Sequence, residues 1–262
     1  MDTLTFAMGP VQLDEDGEAL RQRFAIHLSQ ALRRPVRAIA APSYAEVAGL
    51  VESGEAQLAW LPPAVFVRLE QRTRVTLLAA LDRGRGEGYR GVLFVSPSSS
   101  ASTPEELRGA RAVWVDADSC AGHLFPCASL RARGAAPDEL FADQRFLGSH
   151  GSVVRAVARG EADAGATYAH VSPDGRLLLA GWYPYVGASG MRAVLVSEAI
   201  PADVICASSR VDADAQDELR EALLALHEDA EDLLDDVFGA ERPVGAHTGA
   251  YDVVRVAAGL RT

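Results

Sequence analysis

Lysine is absent from this chain: all 25 basic residues are arginine, set against 36 acidic ones for a net charge of −11. With no basic stripe, that balance argues against a nucleic-acid partner and against anionic membrane surfaces. A small anionic ligand stays admissible, because backbone N–H groups bind one locally whatever the net charge. Cysteine is scarce as well. Cys120, Cys127 and Cys206 are too few and too scattered for a disulfide framework. Seven residues of helix between Cys120 and Cys127 amount to about 10 Å of rise, beyond the reach of a disulfide. Reduced thiols are the simpler reading. No run approaches the roughly 20 apolar residues of a membrane span, so no membrane insertion is expected. Met1-Asp2-Thr3 leads straight into the strand-like Leu4–Met8, without a charged n-region or an apolar h-region. As written, the sequence predicts a cytoplasmic protein, or a periplasmic one if a signal was removed.

What is present is 262 residues, 48% hydrophobic and 23% charged, enough for one large domain or two with a core each. Short apolar runs at Leu4–Met8, Val36–Ile39, Gln57–Leu61 and Val75–Leu81 alternate with helical patterns. In the first helix, Leu20, Phe24, Leu28 and Leu32 recur every four residues. Ser43-Tyr44-Ala45-Glu46 has the form of a capping box, and Gly54 stops the helix it opens. Strands alternating with helices predict a parallel sheet covered on both faces. The polar break Arg83–Gly88 follows, then a long strand at Tyr89–Val95. Thr103-Pro104-Glu105-Glu106 reads as another capping box, and a second α/β unit runs to about Thr167. Met191–Ser197 returns from it. The tail carries one amphipathic helix over Gln216–Val237, whose acidic cluster reads as a solvated face, and a terminal helix over Tyr251–Leu260. The expectation is two α/β lobes with mixed, mostly parallel sheets. Residues 1–88 with 198–262 form one lobe, and 89–197 form an inserted second one. Strands near 89–95 and 191–197 act as hinges, and the ligand sits between the lobes at strand C-termini.

The segment with most chemistry is Asp116-Ala117-Asp118-Ser119-Cys120-Ala121-Gly122-His123, between a buried strand and a helix. The first amides of a helix have no intrahelical acceptor, and the helix dipole favours negative charge there, so the turn is suited to an anion. Ordinary capping explains such a turn equally well. Gly148-Ser149-His150-Gly151-Ser152 is a second polar turn of the same kind.

These pieces come with Ala56-Gln57-Leu58-Ala59-Trp60-Leu61-Pro62-Pro63-Ala64, Gly88-Tyr89-Arg90-Gly91-Val92-Leu93-Phe94-Val95, Val157–Ala164 and Ile200-Pro201-Ala202-Asp203. In that order and spacing, from about residue 4 to 258, the chain resembles the type 2 solute-binding proteins of phosphate, phosphite and phosphonate ABC transporters. The resemblance implies a two-lobe Venus-flytrap that closes on a tetrahedral oxyanion. It implies no cofactor, and a membrane permease as partner if the protein is exported. By position, Tyr44 and Tyr89 look like the family's aromatic hydroxyls. Ser119, Cys120 and Ala121 look like its anion turn, with a thiol where a second hydroxyl is usual. His150 looks like its cleft histidine. Asp203 occupies one of two acidic positions that meet an ammonium in members binding aminoalkyl phosphonates. The other falls at Ala169 or His170 and is not acidic, so another anion or an uncharged tail is expected as readily.

Other chemistries compete. The same two-lobe fold serves enzymes resembling chorismate dehydratase, which act on enolpyruvyl carboxylates. His123, His150, His170 or Asp116 would then be the acid or base, although no paired carboxylate stands out. Cys120 at a helix start would have a lowered pKa and, with His123 or His150, form a Cys–His pair. Cys120, His123 and Cys127 could also chelate a transition metal, with His150 as a fourth ligand, but the spacing matches no standard zinc pattern.

Overall fold

A computed structural model describes residues 3–9, 15–84 and 89–261. Pro10 and residues 85–88 of the predicted Arg83–Gly88 break lie outside them. Along the chain run β1 (Leu4–Met8), α1 (Glu15–Leu32), β2 (Val36–Ala40), α2 (Tyr44–Ser53), β3 (Leu58–Leu61), α3 (Pro63–Glu70), β4 (Val75–Asp82) and β5 (Tyr89–Val95). Next come β6 (Arg111–Trp114), α4 (Phe125–Ala132), α5 (Pro137–Leu140), β7 (Asp143–Phe146), α6 (His150–Ala158), β8 (Ala164–Val171), β9 (Leu177–Ala180) and α7 (Tyr183–Val186). The chain closes with β10 (Arg192–Ala199), β11 (Val204–Ser208), α8 (Ala213–Ala225), α9 (His227–Phe238), β12 (Arg242–Val244) and α10 (Asp252–Ala257).

The chain divides into two compact units. The first runs up to Gly84 and resumes over Ala202–Asp252; the second runs up to Pro201 and resumes from Val253. The first unit has a six-stranded sheet in the order β12-β4-β11-β3-β1-β2. β1 is parallel to β2 and β3, as the alternating pattern requires. β11 returns from beyond β10 and slots between β3 and β4, antiparallel to both. Its core gathers Phe6, Phe24, Leu28, Trp60, Ile205 and Phe238. Phe24 and Phe238 meet edge to face at 5.0 Å, and Trp60 meets Phe238 at 5.1 Å in the same manner. Ser43 caps α2 by accepting from the Glu46 amide at 3.2 Å, and Gly54 closes it at φ 79°, a conformation only glycine adopts without strain.

The second sheet has the order β10-β5-β8-β6-β7, with β9 beside β8. Residues alternate across β5: Leu93 and Val95 pack with Trp114 and Leu130 on one face, Val92 and Phe94 with Val153 and Trp182 on the other. Both faces are buried, which is why this strand reads as an unbroken apolar run. β5 and β10, the strands expected as hinges, pair antiparallel with each other in this sheet.

Both sheets are mixed. The antiparallel share exceeds what strand–helix alternation suggests, because β11, β5 and β10 all pair with strands distant in sequence. Two other expectations need correction. The single helix over Gln216–Val237 is two helices that break at Leu226, so that Leu219 and Leu223 of α8 and Leu233, Leu234 and Phe238 of α9 reach one core. The capping box at Thr103 opens only a 3-10 turn over Pro104–Leu107, without a side-chain cap bond from Thr103; Glu106 accepts from the Ser102 amide instead.

Candidate functional site

In the second unit, β6 ends at Trp114 and the chain turns through Asp116–Ser119 into a π-helical turn over Cys120–Leu124, continuous with α4. The turn is tightly held. Asp116 accepts from the Asp118 amide at 2.9 Å, and the Ser119 hydroxyl accepts from the Gly122 amide at 3.0 Å. The Leu124 amide reaches back to the Ser119 carbonyl at 2.9 Å. Cys120, Ala121 and Gly122 are all buried. The turn packs closely against β5. A Cβ on Gly91 would meet the Ala121 carbonyl oxygen at 2.9 Å and Pro126 at 2.7 Å, so only glycine lets the strand and the turn approach this closely.

The second polar turn behaves alike. Ser149 caps α6 by accepting from the Ser152 amide at 3.2 Å, which makes His150 the first helical residue. The His150 Nδ1 lies 2.9 Å from the Thr167 hydroxyl of β8. Burial pushes the His150 pKa below the usual histidine value, partly opposed by the charge of Asp116. A neutral ring that accepts from Thr167 through Nδ1 carries its proton on Nε2 and is a hydrogen-bond donor there.

Antiparallel pairing of β5 with β8 sets Tyr89 opposite His170 and Gly91 opposite Tyr168. The Tyr89 ring stacks on Tyr168 at 6.0 Å and stands 5.7 Å from His170, and His150 meets Tyr168 edge to face at 5.2 Å. The fold therefore assembles Tyr89, His150 and His170 into one aromatic group. Thr167 and Tyr168 complete it, and sequence reading passed over both. Tyr168 falls one residue beyond the expected end of its strand, although alternation from Ala166 already places it.

Tyr44 and Asp203 belong to the first unit. Both line a pocket of about 360 Å³ with Trp60, Arg83 and Phe238. The Tyr44 ring packs edge to face on Trp60 at 6.4 Å and lies so close to Gly9 that no Cβ fits there. Asp203 accepts from the Arg83 guanidinium at 2.8 Å. Burial raises its carboxyl pKa, and Arg83 and the nearby Trp60 indole work against that rise. The Trp60 Nε1 is itself buried, with the Asp203 carboxylate as the acceptor beside it. Nothing in the sequence announced Arg83 or Trp60 as site residues, since both meet Asp203 only through the insertion of β11.

The metal reading finds no assembled site among the described residues. The His123 Nδ1 is 3.0 Å from the Ala117 carbonyl, and its ring lies between Trp114 and Phe146. Cys127 is packed in the core, where burial pushes its thiol up to about 12. Among the described residues, no group of three or more His, Cys, Asp and Glu side chains is placed to hold a metal ion.

Residues 6–251 match the model of the family described as the phosphonate periplasmic substrate-binding protein of ABC transporters. The chain belongs to that family. A curated relative of this phosphonate-binding family, the phosphate-import protein PhnD of Mycolicibacterium smegmatis, is 27% identical over 177 residues, covering 64% of this chain and 55% of its own length. The chain thus spans about half the length of that relative. Among solved structures, XAC2383 from Xanthomonas citri bound to ATP superposes with a TM-score of 0.80 at 18% identity, over 99% of this chain and 96% of that one. PhnD1 from Prochlorococcus marinus in complex with methylphosphonate does so with a TM-score of 0.73 at 19% identity, over 97% and 96%. The two-lobe binding-protein fold of the phosphonate-binding family is therefore this chain's fold. No helix among the described residues is long and apolar enough to cross a membrane.

Proposed function

We propose that this protein is the substrate-binding component of an ABC importer, working in the periplasm on a small phosphonate- or phosphate-like oxyanion. The observation that carries the reading is the Ser119–Leu124 turn. A hydroxyl already engaged with the Gly122 amide stands at the head of a buried helical turn, inside the segment matched by the phosphonate-binding family. A tetrahedral anion placed there accepts from the leading amides at Cys120 and Ala121, favoured by the positive end of the helix. Ser119, which accepts from the Gly122 amide, holds the turn in place and can donate its own O–H to the anion. His150, kept neutral by burial, offers its Nε2–H as a further donor, so recognition needs no formal positive charge and suits a chain of net charge −11. Tyr89 and His170 provide the adjoining aromatic wall.

The test is calorimetric titration of the phosphate-free protein with methylphosphonate, phosphate, phosphite and sulfate, alongside thermal melts. A ligand at a hundredfold excess over its Kd adds about 2.7 kcal/mol of stability, which a melt resolves. One tetrahedral oxyanion is expected to bind, and Ser119→Ala to weaken it at least tenfold. Silence from every oxyanion, or unchanged affinity in Ser119→Ala, would overturn the assignment.

A further inference from the structure

The His150 ring has two nitrogens, and one of them is committed. Nδ1 stands 2.9 Å from the Thr167 hydroxyl on β8, while Nε2 has no hydrogen-bond partner among the described residues. Burial keeps the ring neutral, so its chemistry turns on which nitrogen holds the proton. Thr167 is fully buried, and its hydroxyl has His150 as its one partner among the described residues. Were Nδ1 protonated, it would donate to the hydroxyl oxygen and leave the Thr167 O–H without an acceptor in a place closed to water. A buried donor left unmade is penalised more than a made bond is rewarded, so the arrangement that satisfies both groups wins. The hydroxyl donates to Nδ1, and the ring proton sits on Nε2.

A second observation is that the fold keeps room for this hydroxyl. Gly181 follows β9, and its amide donates to the Tyr168 carbonyl at 2.9 Å. Its φ lies outside the left-handed region, so the backbone there suits any residue. A Cβ on it would nonetheless fall 2.2 Å from the Thr167 Oγ1 and 2.9 Å from the Tyr168 ring. What requires glycine is the space the hydroxyl and the ring occupy. Tyr168 meets the His150 ring edge to face at 5.2 Å, which orients the imidazole plane and leaves the tautomer to Thr167.

We propose that Thr167 is a positioning residue of the oxyanion site, with Gly181 as the space it needs: its hydroxyl fixes His150 in the Nε2–H tautomer, so that the ring serves as a donor alone and the ligand oxygen it meets carries no proton. The ligand half of this inference rests on the function proposed above; the tautomer half rests on residues of the second unit by themselves. A P–OH turned toward Nε2 would set one proton against another. An ionised phosphonate oxygen accepts there instead. A ring whose Nδ1 is satisfied by Thr167 has no ready route to the opposite tautomer, so it does not adapt to a protonated oxygen as a free imidazole would.

The experiment labels the histidines of the full chain with ¹⁵N and reads their two-bond ¹H–¹⁵N correlations at neutral pH, which distinguish the two tautomers; His150 is assigned with His150→Gln. Calorimetric titration with methylphosphonate runs alongside. The unmodified protein is expected to show His150 as Nε2–H, and to keep it so with methylphosphonate bound. Thr167→Val, close in shape but without the hydroxyl, mixes the tautomers and weakens methylphosphonate at least tenfold, on the order of one lost hydrogen bond. Thr167→Ser restores the Nε2–H pattern and brings affinity back to within about threefold. Gly181→Ala displaces the hydroxyl without removing it and gives the Thr167→Val pattern; it stands in for that variant should the valine protein fail to fold. An Nδ1–H ring in the unmodified protein, free or bound, overturns the proposal, and so does a Thr167→Val protein in which either the tautomer or the affinity stays put. If no oxyanion binds the unmodified protein, the proposed function falls while the tautomer readings stand. Methylphosphonate bound with a tautomer indifferent to Thr167 does the reverse.

Discussion

Replacing Arg83 by alanine strands a carboxylate that the fold has partly removed from water. Truncating one partner of a fully buried ion pair costs about 3–5 kcal/mol. Here the Asp203 side chain is 17% exposed and the Arg83 side chain 36%, so solvent screens part of the attraction and the expected loss is nearer ~2 kcal/mol. At 2–4 °C per kcal/mol for a protein of this size, that is a fall in Tm of roughly 4–8 °C. The loss has a signature in pH. Burial raises the Asp203 pKa above its unfolded value, and Arg83 opposes that rise, so removing Arg83 lifts it further. A carboxyl with a raised folded pKa lends its full stability below the unfolded pKa and loses it as pH climbs through the folded one. The gap between Arg83→Ala and the unmodified protein should therefore be widest at neutral pH and above, and should close on acidification. Adding Asp203→Asn removes the stranded charge and should recover part of the deficit at neutral pH. Melts across pH, with the double variant beside the single ones, check this. A gap that is flat with pH or grows in acid, or a double variant no more stable than Arg83→Ala, would refute the electrostatic account.

Gly91→Ala forces a Cβ against the Ala121 carbonyl and Pro126 and should cost about 1–3 kcal/mol in chemical denaturation, with weaker oxyanion binding because the same turn must shift. Phe238→Ala removes the ring on which Phe24 and Trp60 pack and should cost about 3–5 kcal/mol, seen as a lower denaturation midpoint. Burial holds the pKa of His150 below its unfolded value. Its contribution to stability is therefore intact above the unfolded histidine pKa and is lost as pH falls through the window between the two values. His150→Gln should flatten the decline of Tm over that window, leaving the part due to His123, whose pKa burial also depresses.

How much of this was legible in the sequence depended on range. Ser119, Ser149 and Ser43 act on amides three residues away, and a hydroxyl before an apolar run states that chemistry directly. His150 stood out with its turn. The hairpin from β8 to β9 also had its signal in Ser172-Pro173-Asp174-Gly175, which strand reading alone overlooked. The break at Leu226 had none: no glycine or proline marks it, and only the shared core of α8 and α9 explains it. Arg83 and Asp203 are 120 residues apart and meet because β11 pairs with β4; no local pattern encodes that pairing. The buried Trp60 looked like any apolar strand residue, although it stands beside Asp203 in the first unit's pocket.

The insertion of β11 between β3 and β4 also sets an order of construction. A nascent chain that has emerged as far as Pro201 already contains every strand of the second sheet, while the first sheet still lacks the strand that joins its two halves. Until Val204–Ser208 leave the ribosome, β3 and β4 each present an unpaired edge to the surrounding protein, the condition under which stray strand pairing begins. The second sheet is thus expected to become protease-resistant before the first, which waits for β11. Proteolysis of ribosome-arrested chains ending before and after Ser208 reads that order directly.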